Sequence, residues 1–131
     1  MQVYAAGFDS SSRRPRVGLL LAGIGLNQVD SEAAIRTLPS GITLAVSPYA
    51  QNMTKLLAVA RLTEHEYLLS IPMEPQGFPL NDPGRQALMT NLSREQNRPR
   101  LEWMLSRIAG YAGATGAEGS LRGERFASLP D

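Results

Sequence analysis

One carboxylate in this chain stands between two prolines. In Ile71-Pro72-Met73-Glu74-Pro75 they preset the backbone around Glu74, and a stiffened chain loses less entropy on ordering. A rigidly presented acid suits a site that binds or protonates a ligand; a stiff loop with an incidental acid is the other reading. His65 is the single histidine, so any nucleophile–histidine–acid triad would need it. No G-x-S-x-G elbow accompanies it, and a packing or turn role is the simpler reading. The absence of cysteine excludes disulfides, thiolate nucleophiles and zinc–thiolate sites. A metal centre requires three or more converging ligands. The nearby candidates are His65, Glu66, Glu74 and Asp82, and adjacent residues of a strand point to opposite faces. Gly23-Ile24-Gly25 invites a dinucleotide reading, but Gln28 stands where a third small residue belongs and Val46-Ser47 where an acid belongs. A tight strand-to-helix turn explains the glycines without a ligand.

These residues need elements to position them. Val17–Ala22 is a nearly continuous apolar run, as in a strand buried on both faces of a parallel sheet. Asn27 caps a helix from about Gln28 to Leu38, with Ala33, Ala34 and Leu38 inward. Ile42–Val46 is the second strand. Asn52 opens a second helix whose Leu56, Leu57, Val59 and Ala60 face the core, and Glu66–Ile71 is the third strand. Pro72–Asn91 is a long loop with four prolines and two glycines; loops of this length inside a domain tend to carry function. Ser93 and Gln96 form a capping box for a third helix reaching about Ala109, with an apolar stripe at Leu101, Met104, Leu105 and Ile108. Tyr111–Thr115 is a fourth strand, and the Gly- and charge-rich remainder from Gly116 pairs with nothing evident. Strands alternating with helices predict an α/β fold with a parallel sheet and right-handed crossovers. Residues 1–16 read as an N-terminal arm and linker, with a possible short strand at Gln2–Ala6, and 17–131 as one domain.

The 131 residues fit one domain, and 43% hydrophobic content supports a core. A formal net charge of +1 gives no long-range field and argues against a nucleic-acid surface. No apolar run reaches the roughly 18–20 residues that span a bilayer, and the start lacks the basic region and apolar stretch of a signal peptide.

Several strings together resemble the divergent polysaccharide deacetylase family. They are Leu44-Ala45-Val46-Ser47-Pro48-Tyr49-Ala50, His65-Glu66, Leu68-Leu69-Ser70-Ile71-Pro72-Met73-Glu74-Pro75, Asn81-Asp82-Pro83-Gly84 and Leu101-Glu102-Trp103-Met104-Leu105-Ser106-Arg107. The resemblance runs from about Val17 to Phe126. It implies the N-terminal portion of a distorted (β/α) deacetylase-like barrel, its C-terminal part missing, from an exported bacterial protein of the periplasm or cell envelope.

The departures from the family pattern bear on mechanism. Where it has an Asp-Asp pair after the first strand, Ala22 and Gly23 stand here. The glycine of its G-H-E string is replaced by Glu64. Ser70 and Glu74 occupy the two histidine positions of metal-dependent deacetylases. Those relatives hold a divalent metal such as zinc, which lowers the pKa of bound water and polarises the acetyl carbonyl; one carboxylate cannot grip such an ion alone. The resemblance therefore implies a degenerate metal site, no expected cofactor, and a chain that acts on or binds polysaccharide or oligosaccharide. Glu74 and His65 are the candidate catalytic residues, and Tyr49, Ser70 and Asp82 the candidate substrate-binding ones, with Tyr49 or Trp103 as a stacking face. Trp103, beside the apolar stripe, also reads as core. The alternative is a non-catalytic envelope module binding glycan or protein through Pro72–Asn91 and an open sheet edge, an edge that also predicts self-association.

Overall fold

The computed structural model describes residues 17–118, 121–127 and 129, together with residues 11, 13 and 15. The expected strand at 2–6 lies outside the described residues, as does most of the 1–16 arm. The element order is β1 (Leu19–Ile24), α1 (Gln28–Thr37), β2 (Ile42–Val46), α2 (Met53–Leu62), β3 (Tyr67–Ser70), α3 (Arg94–Ser106), β4 (Gly113–Thr115), β5 (Ala117–Glu118), β6 (Leu121–Arg122) and α4 (Glu124–Ala127).

The first four strands form one parallel sheet in the order β1-β2-β3-β4. Sequential order with a helical crossover at each step is how a (β/α) barrel begins, so the sheet is a partial barrel. In-register partners share a face. Leu44, Val46, Tyr67 and Leu69 lie on one side and join Ile35, Leu56, Leu57, Met104 and Ile108 in the core. On the other side Leu20, Thr43 and Leu68 remain at least partly exposed while Ala45 is buried, so that face is only partly covered. Among the described residues no helix is long and apolar enough to cross a membrane.

Local chemistry explains where the elements depart from the sequence reading. β1 runs two residues further than the apolar run and includes Gly23 and Ile24, with a register irregularity between Leu21 and Ile24 that Gly23 permits at φ 85°. α1 has the expected Asn27 cap, whose side chain accepts from Asp30 N, but its inward residues are Ser31 and Ile35. Ala33 is exposed, and Ala34 and Leu38 are half-buried. Ser31 fixes that rotation, because its hydroxyl donates to Asn27 O and accepts from Gly25 N. The α3 capping box forms as expected between Ser93 and Gln96. The helix stops at Ser106, and Leu105 is exposed whereas Met104 and Ile108 are buried.

The tail from Gly116 is not unpaired. β5 and β6 form an antiparallel hairpin, β5 lies against β1, and α4 docks beside the Pro72–Glu74 strap. Phe126 N donates to Glu74 O, and a side chain on either Gly116 or Gly123 would run into Met73.

Candidate functional site

All four parallel strands end on the same side of the sheet, the side where α/β folds place their sites. Ser47, Pro48 and Tyr49 follow β2, Ser70 closes β3, and Gly116 leads from β4 into the hairpin that carries Glu118. At this mouth lies a cleft of about 400 Å³. Leu26, Tyr49 and Pro83 form its apolar wall, Asn81 and Asp82 its polar rim, and Glu118 its acid.

Glu118 is 5% exposed, and its carboxylate oxygens are closed off from solvent and face the hydroxyls of Ser47 and Ser70. Burial pushes its pKa up, and the hydroxyls of Ser47 and Ser70 offset that only in part. Ser70 is fully buried, with its hydroxyl beside that carboxylate.

Tyr49 is held from several sides. Its hydroxyl accepts from Gln86 N at 3.1 Å, and its ring packs on Trp103 with centroids 5.8 Å apart. Burial raises the phenol's pKa, and the negative charges of Glu118 and Asp82 add to the effect. The hydroxyl thus stays protonated at neutral pH and can donate. Gly84, at φ 94°, lets the loop close on the ring: a Cβ there would sit 2.7 Å from the phenol carbon and oxygen. Asp82 Oδ1 accepts from Gly84 N at 2.8 Å and fixes that turn. Trp103 is not a free stacking face, since it lies between Tyr49 and Arg107, whose guanidinium carbon is 5.3 Å from the indole centre.

Of the residues singled out in the sequence, Tyr49, Ser70 and Asp82 come together at this mouth. Glu74 also follows β3 at that end, but its carboxylate is engaged by the scaffold. Thr90 N and Thr90 Oγ1 donate to Oε2 at 2.6 and 2.7 Å, and Arg125 Nε lies 3.1 Å from Oε1. Burial alone would raise its pKa; the Thr90 hydrogen bonds and the Arg125 charge outweigh that and hold it below the usual range. His65 lies before β3, at the opposite end of the sheet. Its Nδ1 is 2.8 Å from Ile42 O and its Nε2 3.1 Å from Ile35 O, and it is 5% exposed. His65 and Glu74 therefore do not share a site: β3 separates them. Glu118 escaped the sequence reading because nothing around it signals burial, and the short hairpin that buries it carries no strong strand pattern.

The glycine turn after β1 is structural. A Cβ on Gly25 would fall 2.3 Å from that of Ala50, and its N–H is spent on Ser31 Oγ, leaving that N–H unavailable to cradle a phosphate.

A profile of the divergent polysaccharide deacetylase family matches residues 19–125. The chain belongs to this family. A crystal structure of an uncharacterized protein from Agrobacterium tumefaciens superimposes with a TM-score of 0.82 at 34% identity, over 90% of this chain and 48% of that one. The chain thus spans about half the length of that relative. No curated protein matches it.

The metal of the deacetylase superfamily can be tested against the donors present. Ala22 and Gly23 offer no side-chain ligand, and the Glu74 carboxylate is already held by Thr90 and Arg125. Among the described residues no three His, Cys, Asp or Glu side chains gather where they could hold an ion. Divalent metals need several anionic or imidazole donors at once, so this donor set does not fit one.

Proposed function

We propose that the chain is a glycan-binding member of the deacetylase family, located in the bacterial envelope, which takes a sugar unit into the cleft between Tyr49, Asp82 and Glu118. The observation carrying this reading is the pairing of an apolar, aromatic wall at Leu26, Tyr49 and Pro83 with a polar rim at Asn81 and Asp82. Pyranose rings offer a C–H face for an aromatic ring and equatorial hydroxyls for carboxylates, and small-ligand sites commonly join one apolar wall to a few fixed polar groups. The family relationship supports the carbohydrate class. The donor set argues for binding over metal-assisted deacetylation, since water activation at neutral pH needs an ion or a strong base placed on the substrate.

Titration calorimetry of the purified chain with glycan oligomers tests the reading. Saturable binding that weakens in Tyr49→Ala is the expected result. Release of acetate from acetylated oligomers at rates far above background would instead establish catalysis and displace the binding-only reading.

A further inference from the structure

The cleft does not end at its aromatic wall. A second hollow, of about 210 Å³, abuts the same Leu26 and Tyr49 and is otherwise lined by Gly25, Gln28 and Gln51. It lies where the turn after β1 meets the loop after β2, at the same mouth of the sheet. The ridge between the two hollows is built rather than loose. Leu26 N donates to Gly23 O and holds the exposed leucine in its turn, while Gln86 N and the Trp103 ring pin Tyr49. Resting on the glycan reading above, we infer that the ligand is a chain of at least two linked sugar units. One unit sits in each hollow across the Leu26–Tyr49 ridge, and the amides of Gln28 and Gln51 hold the second.

Size and chemistry both point this way. Free-standing ligand sites commonly start at about 300 Å³, so the smaller hollow makes sense as an extension of the larger one. A side-chain amide carries both donors and an acceptor, and so pairs with sugar hydroxyls in either sense. Gln28 Nε2 donates to Glu32 Oε1 at 2.5 Å, which steadies that side chain and leaves its carbonyl oxygen to accept. Gln51 is exposed, and among the described residues no hydrogen bond engages its amide. Among the described residues those lining the second hollow are all neutral, whereas Asp82 and Glu118 border the first. The second unit is therefore held by hydrogen bonds rather than by charge. Because the units are covalently linked, seating the first makes the second contact intramolecular.

The test titrates glucose and N-acetylglucosamine, each as the monomer and as the 1,4-linked dimer, into the full chain. The readout is the ratio of dimer to monomer affinity. A site for one unit gains only about twofold from a dimer, because either sugar can occupy it. The expected ratio is roughly tenfold or more in at least one series. It should fall to about twofold in the double variant Gln28→Ala, Gln51→Ala. Glu102→Gln, a remote exposed acid on α3, should leave the ratio intact. A ratio near twofold in the parent, or a high ratio that survives the double variant, overturns the inference and leaves the glycan reading standing. A ratio equally lowered by Glu102→Gln overturns it too. Failure of every sugar to bind sinks both readings. Should the double variant not fold, Gln51→Ala alone decides: an unchanged ratio overturns the inference.

Discussion

Arg125 Nε sits 3.1 Å from Glu74 Oε1, and this contact joins the proline-rich strap after β3 to the short helix that follows the Glu118 hairpin. Glu74 is 3% exposed and Arg125 53%. The pair is therefore a buried acid reaching a half-solvated cation, with Thr90 supplying the remaining donors. What the prolines flank is a tie between the strap and α4, the helix that follows β5 and β6.

Glu74→Gln should destabilise the fold by about 2 kcal/mol, because a buried amide cannot accept from Thr90 and Arg125 as a carboxylate does. Arg125→Ala should cost less, about 1 kcal/mol or under, since solvent screens the exposed cation. Urea unfolding measures both.

The two buried acids give opposite pH dependences. Glu74 has a lowered pKa when folded. Its stabilisation is complete above the ordinary glutamate range and is lost as the pH falls through the lowered folded value. Glu118 has a raised pKa. Across the window between its unfolded and folded values the native state binds the extra proton, so stability falls as pH rises. Glu118→Gln should thus stabilise the protein near neutral pH, by about 1–3 kcal/mol if the whole desolvation cost is relieved, and abolish that slope. A Glu118→Gln variant less stable than the parent at neutral pH would show that the Ser47 and Ser70 hydroxyls outweigh the cost of burying the charge.

Glu64 adopts φ 58° at the position where the family pattern has glycine. A left-handed conformation strains a residue with a side chain, and Glu64 is exposed. Glu64→Gly should therefore raise stability by about 0.5–1 kcal/mol despite glycine's larger unfolded-state entropy. Thermal unfolding at constant pH reports it.

His65→Leu should cost about 2–4 kcal/mol, since it removes the ring nitrogens that lie within hydrogen-bond reach of the carbonyls of Ile35 and Ile42. Glycan affinity per folded molecule should be unchanged, because His65 lies at the far end of the sheet. A loss of affinity without a loss of stability would return His65 to the site.

Much of the architecture was legible in the sequence because its signals are local. Ile42–Val46 is a short apolar run and is a strand with those bounds. The Ser93–Gln96 box forms as written, and α2 buries the four residues its periodicity points inward. Elements governed by one long-range contact were not legible. The face that α1 buries depends on the Ser31 hydroxyl reaching Gly25, which no periodicity encodes. The cleft was legible in part: Tyr49, Ser70 and Asp82 follow strands or lie in the long loop, where ligands are usually met. Glu118 was hidden because its burial comes from a two-residue strand folding back against β1, and so weak a pattern carries no warning of an interior acid.

The hairpin owes its seat to two missing side chains. Methionine 73 fills the room that Gly116 and Gly123 leave vacant, so the segment bearing the acid locks like a key cut to one wedge. A side chain on Gly123 would meet the Met73 Cβ at 2.4 Å and push the hairpin aside, whereas one on Gly116 would meet only the movable Met73 methyl end. The seat of Glu118 thus depends on a contact behind the cleft, which a comparison of the lining residues alone would miss.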